Sequence, residues 1–166
     1  MQKSLDYFFN KPCRLKTLIF SYLFNQIVPF NAPHGFRFLE LSSEKIKGKL
    51  PYIRKNKNHL GGMHACVIAA LGEICSGVLL LRNLGPKEYR FIMSNLEIEY
   101  HFQGRMGLVG SSQISPEDVN MMKNDLLTSE KIQKQLVSEI YDVKNNHIAT
   151  VKSLWQIKPW NKVKTK

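Results

Sequence analysis

Residues 63–81 of this chain are apolar on nearly every side of a helix. A run of about 19 such residues is long enough to span a bilayer, so it must either enter a membrane or be enclosed by the rest of the fold. Glu73 in its middle, His64 at its start and the Gly, Ala, Ser and Cys residues from 65 to 77 argue against insertion. A mean hydropathy of −0.25 for the whole chain points the same way. The expectation is a helix buried on all sides because a sheet wraps around it, with no stable membrane insertion.

The flanking sequence supplies that sheet. Residues 36–41 and 45–50 read as a hairpin around Ser42-Ser43-Glu44, with Ile46, Gly48 and Leu50 on one face and lysines on the other. A basic and polar loop covers 54–59. Strand patterns return at 91–101 and 107–114, joined through Gly104. Ser115 then caps a short helix with Pro116 in its first position, ending near 127. Strands 134–143 and 147–157 flank Lys144-Asn145-Asn146, a hairpin turn. With 166 residues the chain suits one domain, and this order predicts an α+β fold around an antiparallel sheet.

Ahead of it, Leu15, Leu18, Ile19, Tyr22, Leu23 and Ile27 recur at helical spacing. They predict an amphipathic N-terminal helix that lies on the domain through this stripe. Lys3, Lys11, Arg14 and Lys16 give it a basic flank that also admits contact with a membrane surface, while no small-x-small cleavage site follows it. Pro29 and Pro33 end the segment. The expected division is 1–30 as a helical segment packed on the domain, 31–158 as one domain, and 159–166 as a basic tail.

Lys and Arg number 24 against 13 Asp and Glu, a net charge of +11 that calls for an anionic partner, serves solubility, or both. A nucleic acid is not expected as that partner, because the strands do not present clustered aromatics with Arg and Gly. Cys13, Cys66 and Cys75 are odd in number and form no CxxC pair. That fits neither a disulfide framework nor a zinc site, and it suggests a reduced, cytoplasmic setting without a metal.

The chemistry concentrates at the apolar helix. A carboxylate at position 73 must be paired, face a cleft, or lie on a narrow solvated stripe. The preceding Asn58-His59-Leu60-Gly61-Gly62-Met63-His64 brings an amide, two glycines and an imidazole to the helix start. Unpaired N–H groups of Ala65 and Cys66 there suit an oxygen that gains negative charge, although His64 is equally suited to cap the helix. His64 and Glu73 are nine residues apart, about 900° at 100° per residue, and so half a turn out of phase. If both serve one active site, it combines His64 of one subunit with Glu73 of another across a two-fold axis.

Asn58, Gly61 and His64 followed at nine residues by Glu73 resemble the signature of hotdog-fold thioesterases related to the phenylacetyl-CoA thioesterase group. The resemblance covers roughly residues 29–155 and implies a hotdog fold, in which an antiparallel sheet wraps a long helix. It further implies hydrolysis of an acyl thioester of coenzyme A or an acyl carrier, at a site shared within a homodimer or dimer of dimers. No cofactor is implied beyond the coenzyme A of the substrate. Carried over by position, Glu73 activates water or attacks the carbonyl, the Ala65 N–H polarises it, and His64 and Asn58 orient the acyl group or assist at the thioester. Gly61, Gly62, Cys66, Ser76, Gly77, Tyr100, His101 and Arg105 would contact substrate. Arg54, Lys55, Lys57 and Arg90 would join Arg105 in attracting its phosphates. Two departures stand out: the group's His-Gly-Gly is His64-Ala65-Cys66 here, and Gly77 occupies the place of its hydroxyl residue. An acyl-binding module without turnover is therefore the alternative.

Overall fold

In the computed structural model, which describes Phe8 and residues 13–163, the apolar run is enclosed as expected. Helix α2 (Ala65–Leu84) buries 13 of its 20 residues. A six-stranded antiparallel sheet surrounds it, formed by β1 (Arg37–Leu41), β2 (Lys45–Leu50), β3 (Tyr89–Tyr100), β4 (Leu108–Gln113), β5 (Ile132–Asp142) and β6 (His147–Pro159). The strand order is β1-β2-β4-β5-β6-β3. Helix α1 (Arg14–Ile27) precedes the sheet and α3 (Pro116–Thr128) links β4 to β5. This is the α+β hotdog arrangement. Helix α2 starts two residues later than the apolar run because His64 is still extended at ψ 135°. It ends at Leu84 where Gly85 takes φ 79°.

Small residues let the helix approach the sheet. Gly48 of β2 lies directly opposite Gly110 of β4. A Cβ on Gly48 would meet Leu71 and Cys75 at 3.2 Å, and one on Gly110 would meet Ile140 at 2.7 Å and Leu71 at 2.9 Å. The two glycines form the floor on which Leu71 and Cys75 sit. From the helix side, a Cβ on Gly72 would stand 2.6 Å from the Val151 side chain. The Cys75 thiol in this contact is pushed up to about 12 by burial and is inert. Buried hydroxyls complete the seam: Ser138 donates to the Gly72 carbonyl at 2.8 Å, and Ser76 joins Ser153 and the Trp155 indole.

Helix α1 lies on the domain, but on the opposite face from the one its periodicity predicts. Thr17, Phe20 and Ser21 are buried, whereas Leu15, Leu18, Ile19, Tyr22, Leu23 and Ile27 are all exposed. The inward face is chosen by contacts that sequence spacing does not reveal. Phe20 and Phe24 pack on Phe38 with ring centroids 5.2 and 5.3 Å apart. Ser21 accepts the Phe38 N–H at 2.8 Å, and the Asn25 amide donates to the Phe36 carbonyl at 3.0 Å. These bonds satisfy backbone groups at the outer edge of β1, which an edge strand would otherwise leave open.

The opposite edge, β3, pairs with β6 and has no other strand neighbour among the described residues. The final strand runs to Pro159 and is followed by a turn of 3₁₀ helix, Trp160–Lys162, whose Trp160 indole donates to the Pro86 carbonyl at 2.9 Å. Part of the expected tail is thus held to the fold, while residues 164–166 lie outside the described residues, as do most of the residues before 13.

Two substitutions test this packing by thermal or denaturant unfolding. Gly72→Ala forces a Cβ into Val151 and should lower stability by about 1–3 kcal/mol. Ser21→Ala leaves the buried Phe38 N–H without a partner and should cost about 1–3 kcal/mol.

Candidate active site

The loop before α2 is closed by its own polar groups. The Asn58 carboxamide oxygen accepts the N–H groups of Leu60 and Gly62, both at 3.0 Å, and the Asn58 N–H donates to the Gly62 carbonyl at 2.8 Å. Gly61 takes φ 76° in this turn, a region glycine occupies without strain. Its carbonyl accepts the Tyr52 hydroxyl. A Cβ on Gly62 would meet the Gln103 side chain at 3.0 Å, so Gly62 admits that neighbour. The Asn58 oxygen expected to orient substrate is therefore occupied in shaping the loop.

Asn56, which sequence reasoning did not single out, anchors the whole loop. It is fully buried, donates its amide to the carbonyls of His34 and Pro51 at 2.9 and 2.8 Å, and lies 2.9 Å from His34 Nδ1. Its own carbonyl accepts the His64 N–H at 2.8 Å. The only signal available in the sequence was one more asparagine in a polar loop.

His64 is the N-cap of α2, its Nδ1 accepting the Cys66 N–H at 3.2 Å. Of the two backbone donors expected there, Cys66 is thus engaged. The Ala65 N–H makes no hydrogen bond among the described residues. With Nδ1 accepting, the neutral imidazole carries its proton on Nε2 and can donate outward. Ala65 borders a pocket of about 320 Å³ with Asn58, Ile68, Tyr100 and His101. The Tyr100 hydroxyl donates to the Ala65 carbonyl at 3.0 Å, and burial pushes the phenol above its usual range. His101 reaches Thr150 at 3.0 Å on the strand surface.

Glu73 lies in a separate pocket of about 390 Å³ that shares no residue with the first. Its walls come from Phe24, Val28, Phe30, Ile74, Leu81 and Trp155. The carboxylate has no ion-pair or hydrogen-bond partner among the described residues, and burial raises its pKa above the ordinary 4.5. Gly77 lines the same pocket, where a Cβ would meet the Trp155 ring at 3.1 Å. Trp155 was another residue missed in the sequence, since its place beside Glu73 depends on the register of β6.

Ser76, expected to contact substrate, is fully buried, donating to the Glu73 carbonyl at 2.9 Å and accepting from Trp155 at 3.1 Å, so its hydroxyl braces the helix against the sheet. Arg105 is exposed and donates to the Gln103 side chain at 2.9 Å, outside both pockets. Lys57 rests 3.8 Å from the centre of the Tyr52 ring. No cluster of three or more His, Cys, Asp or Glu able to hold a metal occurs among the described residues.

Residues 16–157 match the family model described as domain of unknown function DUF4442. No curated protein matches the sequence. Among similar solved structures is a probable thioesterase of unknown function from Pseudomonas aeruginosa. It is 18% identical over 84% of this chain and 93% of that one, with a TM-score of 0.78. A thioesterase from Haemophilus influenzae is 10% identical over 84% and 90%, TM-score 0.66. A mutant thioesterase from Staphylococcus aureus is 13% identical over 79% and 99%, TM-score 0.66. At these identities the likeness establishes the shared fold.

The unpaired carboxylate has a consequence for stability. Because the pKa of Glu73 is higher folded than unfolded, the native state binds more protons across the interval between the two values. Stability therefore falls as pH rises through that interval and stays reduced above it. Glu73→Gln should raise the melting temperature at neutral pH, and the difference should vanish below the ordinary carboxylate range. Equal melting curves at neutral pH would show that Glu73 is fully solvated.

Proposed function

The chain belongs to the DUF4442 family, and from that premise we propose that it hydrolyses acyl thioesters of coenzyme A or an acyl carrier at a site composed by two copies of the chain. The observation that carries this reading is Glu73: a half-buried, unpaired carboxylate with raised pKa, opening on an apolar pocket of acyl-group dimensions. Retaining such a group costs stability, which points to use in chemistry. The thioesterases that share this fold support the reaction class.

In this mechanism Glu73 takes a proton from water as the water oxygen bonds to the thioester carbonyl carbon. The free Ala65 N–H, at the positive end of α2, supports the oxyanion. The C–S bond then breaks, releasing a carboxylic acid and a thiolate that is reprotonated from Glu73 or solvent. His64 would direct Nε2–H toward the carbonyl or the leaving sulfur, and surface cations such as Arg54, Lys55 and Arg105 would attract the phosphates of the carrier.

Within one subunit these groups face different pockets, so the proposal requires a partner. The β3 edge, unpaired among the described residues, supports one route to it. Continuing the sheet through two β3 strands would bring the loop side of one subunit toward the helix side of the other, while α1 blocks the β1 edge. A reading as an acyl-binding module without turnover is favoured by one observation: His64 occupies the Cys66 N–H, leaving one backbone donor.

Thiol release from acyl-CoAs of several chain lengths decides between the two. Glu73→Ala should lower the rate by about 10² to 10⁴-fold. Mixing inactive Glu73→Ala and His64→Ala chains under subunit exchange should restore about a quarter of wild-type activity, since half the dimers would carry one intact composite site. Hydrolysis that survives Glu73→Ala, or a strictly monomeric native mass, would refute the proposal. Acyl binding without hydrolysis would establish the second reading.

A further inference from the structure

The outward face of α1 gathers exposed apolar side chains on one helix. Leu15, Leu18, Ile19, Tyr22, Leu23 and Ile27 are each between 41% and 73% exposed, and Phe30 continues the patch at 60%. At about 100° per residue the six helical positions span one arc of about 180°. Scattered exposed apolar residues are ordinary, but a continuous band of this kind marks an interaction surface.

Charge identifies what fits it. The 14 residues of α1 include no Asp or Glu. Beside Leu18 the helix and strand β1 enclose a groove of about 530 Å³, which also holds Leu39. Arg14, Arg37 and Lys49 line this groove with a single acid, Glu40, and none of the three cations forms an ion pair with a described residue. An apolar band bordered by cations matches a bilayer whose surface carries phosphates and net negative charge. A second copy fits poorly. A two-fold contact through this face would bring Arg14, Arg37 and Lys49 toward their own counterparts with few carboxylates to pair them.

We propose that α1 seats the protein on membranes containing anionic phospholipids. The helix lies in the interfacial plane with Leu15, Leu18, Ile19, Leu23, Ile27 and Phe30 against the acyl region. Tyr22 sits with its hydroxyl at the headgroup level. Arg14, Arg37 and Lys49 gather lipid phosphates. Phe30 also lines the Glu73 pocket, so seating α1 brings the mouth of that pocket close to the lipid surface. The docking surface does not depend on the proposed hydrolysis.

Flotation with vesicles tests it on the full chain. Protein should float with phosphatidylcholine vesicles containing about 30% phosphatidylglycerol at about 0.1 M salt, much less with phosphatidylcholine alone, and should be released as ionic strength rises. Leu18→Glu with Tyr22→Glu should reduce the bound fraction by about tenfold or more. Arg37→Gln with Lys49→Gln should weaken binding about fivefold per charge on anionic vesicles only. Ile27→Ser, at the most exposed position, should give a smaller fall with unchanged melting temperature and so guards against a folding defect in the double variant. Glu73→Ala should float like wild type, which separates this surface from the hydrolytic site. Absence of flotation, or flotation undiminished in Leu18→Glu with Tyr22→Glu, would overturn the proposal. A native mass halved by that double variant would also do so, assigning the face to a contact between copies.

Discussion

The seam between α2 and the sheet is the constraint on which the rest of the structure depends. A helix apolar all round cannot be stable in water unless most of its circumference is covered, and full burial of each Leu, Ile or Val contributes about 1.5–3 kcal/mol. The opposed Gly48 and Gly110 lower the floor of the sheet, and Gly72 lets the helix settle onto Val151. The close approach leaves little room for long polar side chains. Backbone and hydroxyl groups in the seam are accordingly matched in pairs, as with Ser138 and the Gly72 carbonyl.

That seam also distributes the chemistry. Besides its last turn at residues 81–83, wrapping the helix leaves accessible its N-terminal end and a short stretch around Glu73 and Gly77 in the middle. The first supplies the Ala65 N–H, unbonded among the described residues, and the exposed His64 imidazole. The second supplies a carboxylate among apolar walls contributed partly by α1. The two ends of the sheet are unequal as well. Helix α1 satisfies the β1 edge through Ser21 and Asn25, whereas the 12-residue β3 has an outer edge unpaired among the described residues.

Much of this architecture is legible in the sequence. Each strand and helix of the sheet domain lies within a few residues of its expected place, because alternation, Ser115-Pro116 and the Asn145 turn are local signals. The half-turn separation of His64 and Glu73 follows from helical geometry alone. Residue roles were less legible. Ser76 looked available to substrate but is tied to Ser153 and Trp155, and the Asn58 oxygen turns back into its own loop. Asn56 and Trp155, silent in the sequence, hold the loop and wall the Glu73 pocket. Such roles depend on partners distant in the chain.

Helix α1 shows the division most clearly. Local pattern is enough to show that residues 14–27 form a helix, that it is apolar, and that Glu73 lies in a helix requiring enclosure. It did not determine which face of α1 turns inward, since Phe20 and Phe24 mark one side while Leu15, Leu18 and Tyr22 mark the other. That choice is made by contacts at the β1 edge. Aromatic packing on Phe38 and two hydrogen bonds to an otherwise open strand edge outweigh the larger aliphatic stripe, because a buried backbone group without a partner costs more than an exposed leucine.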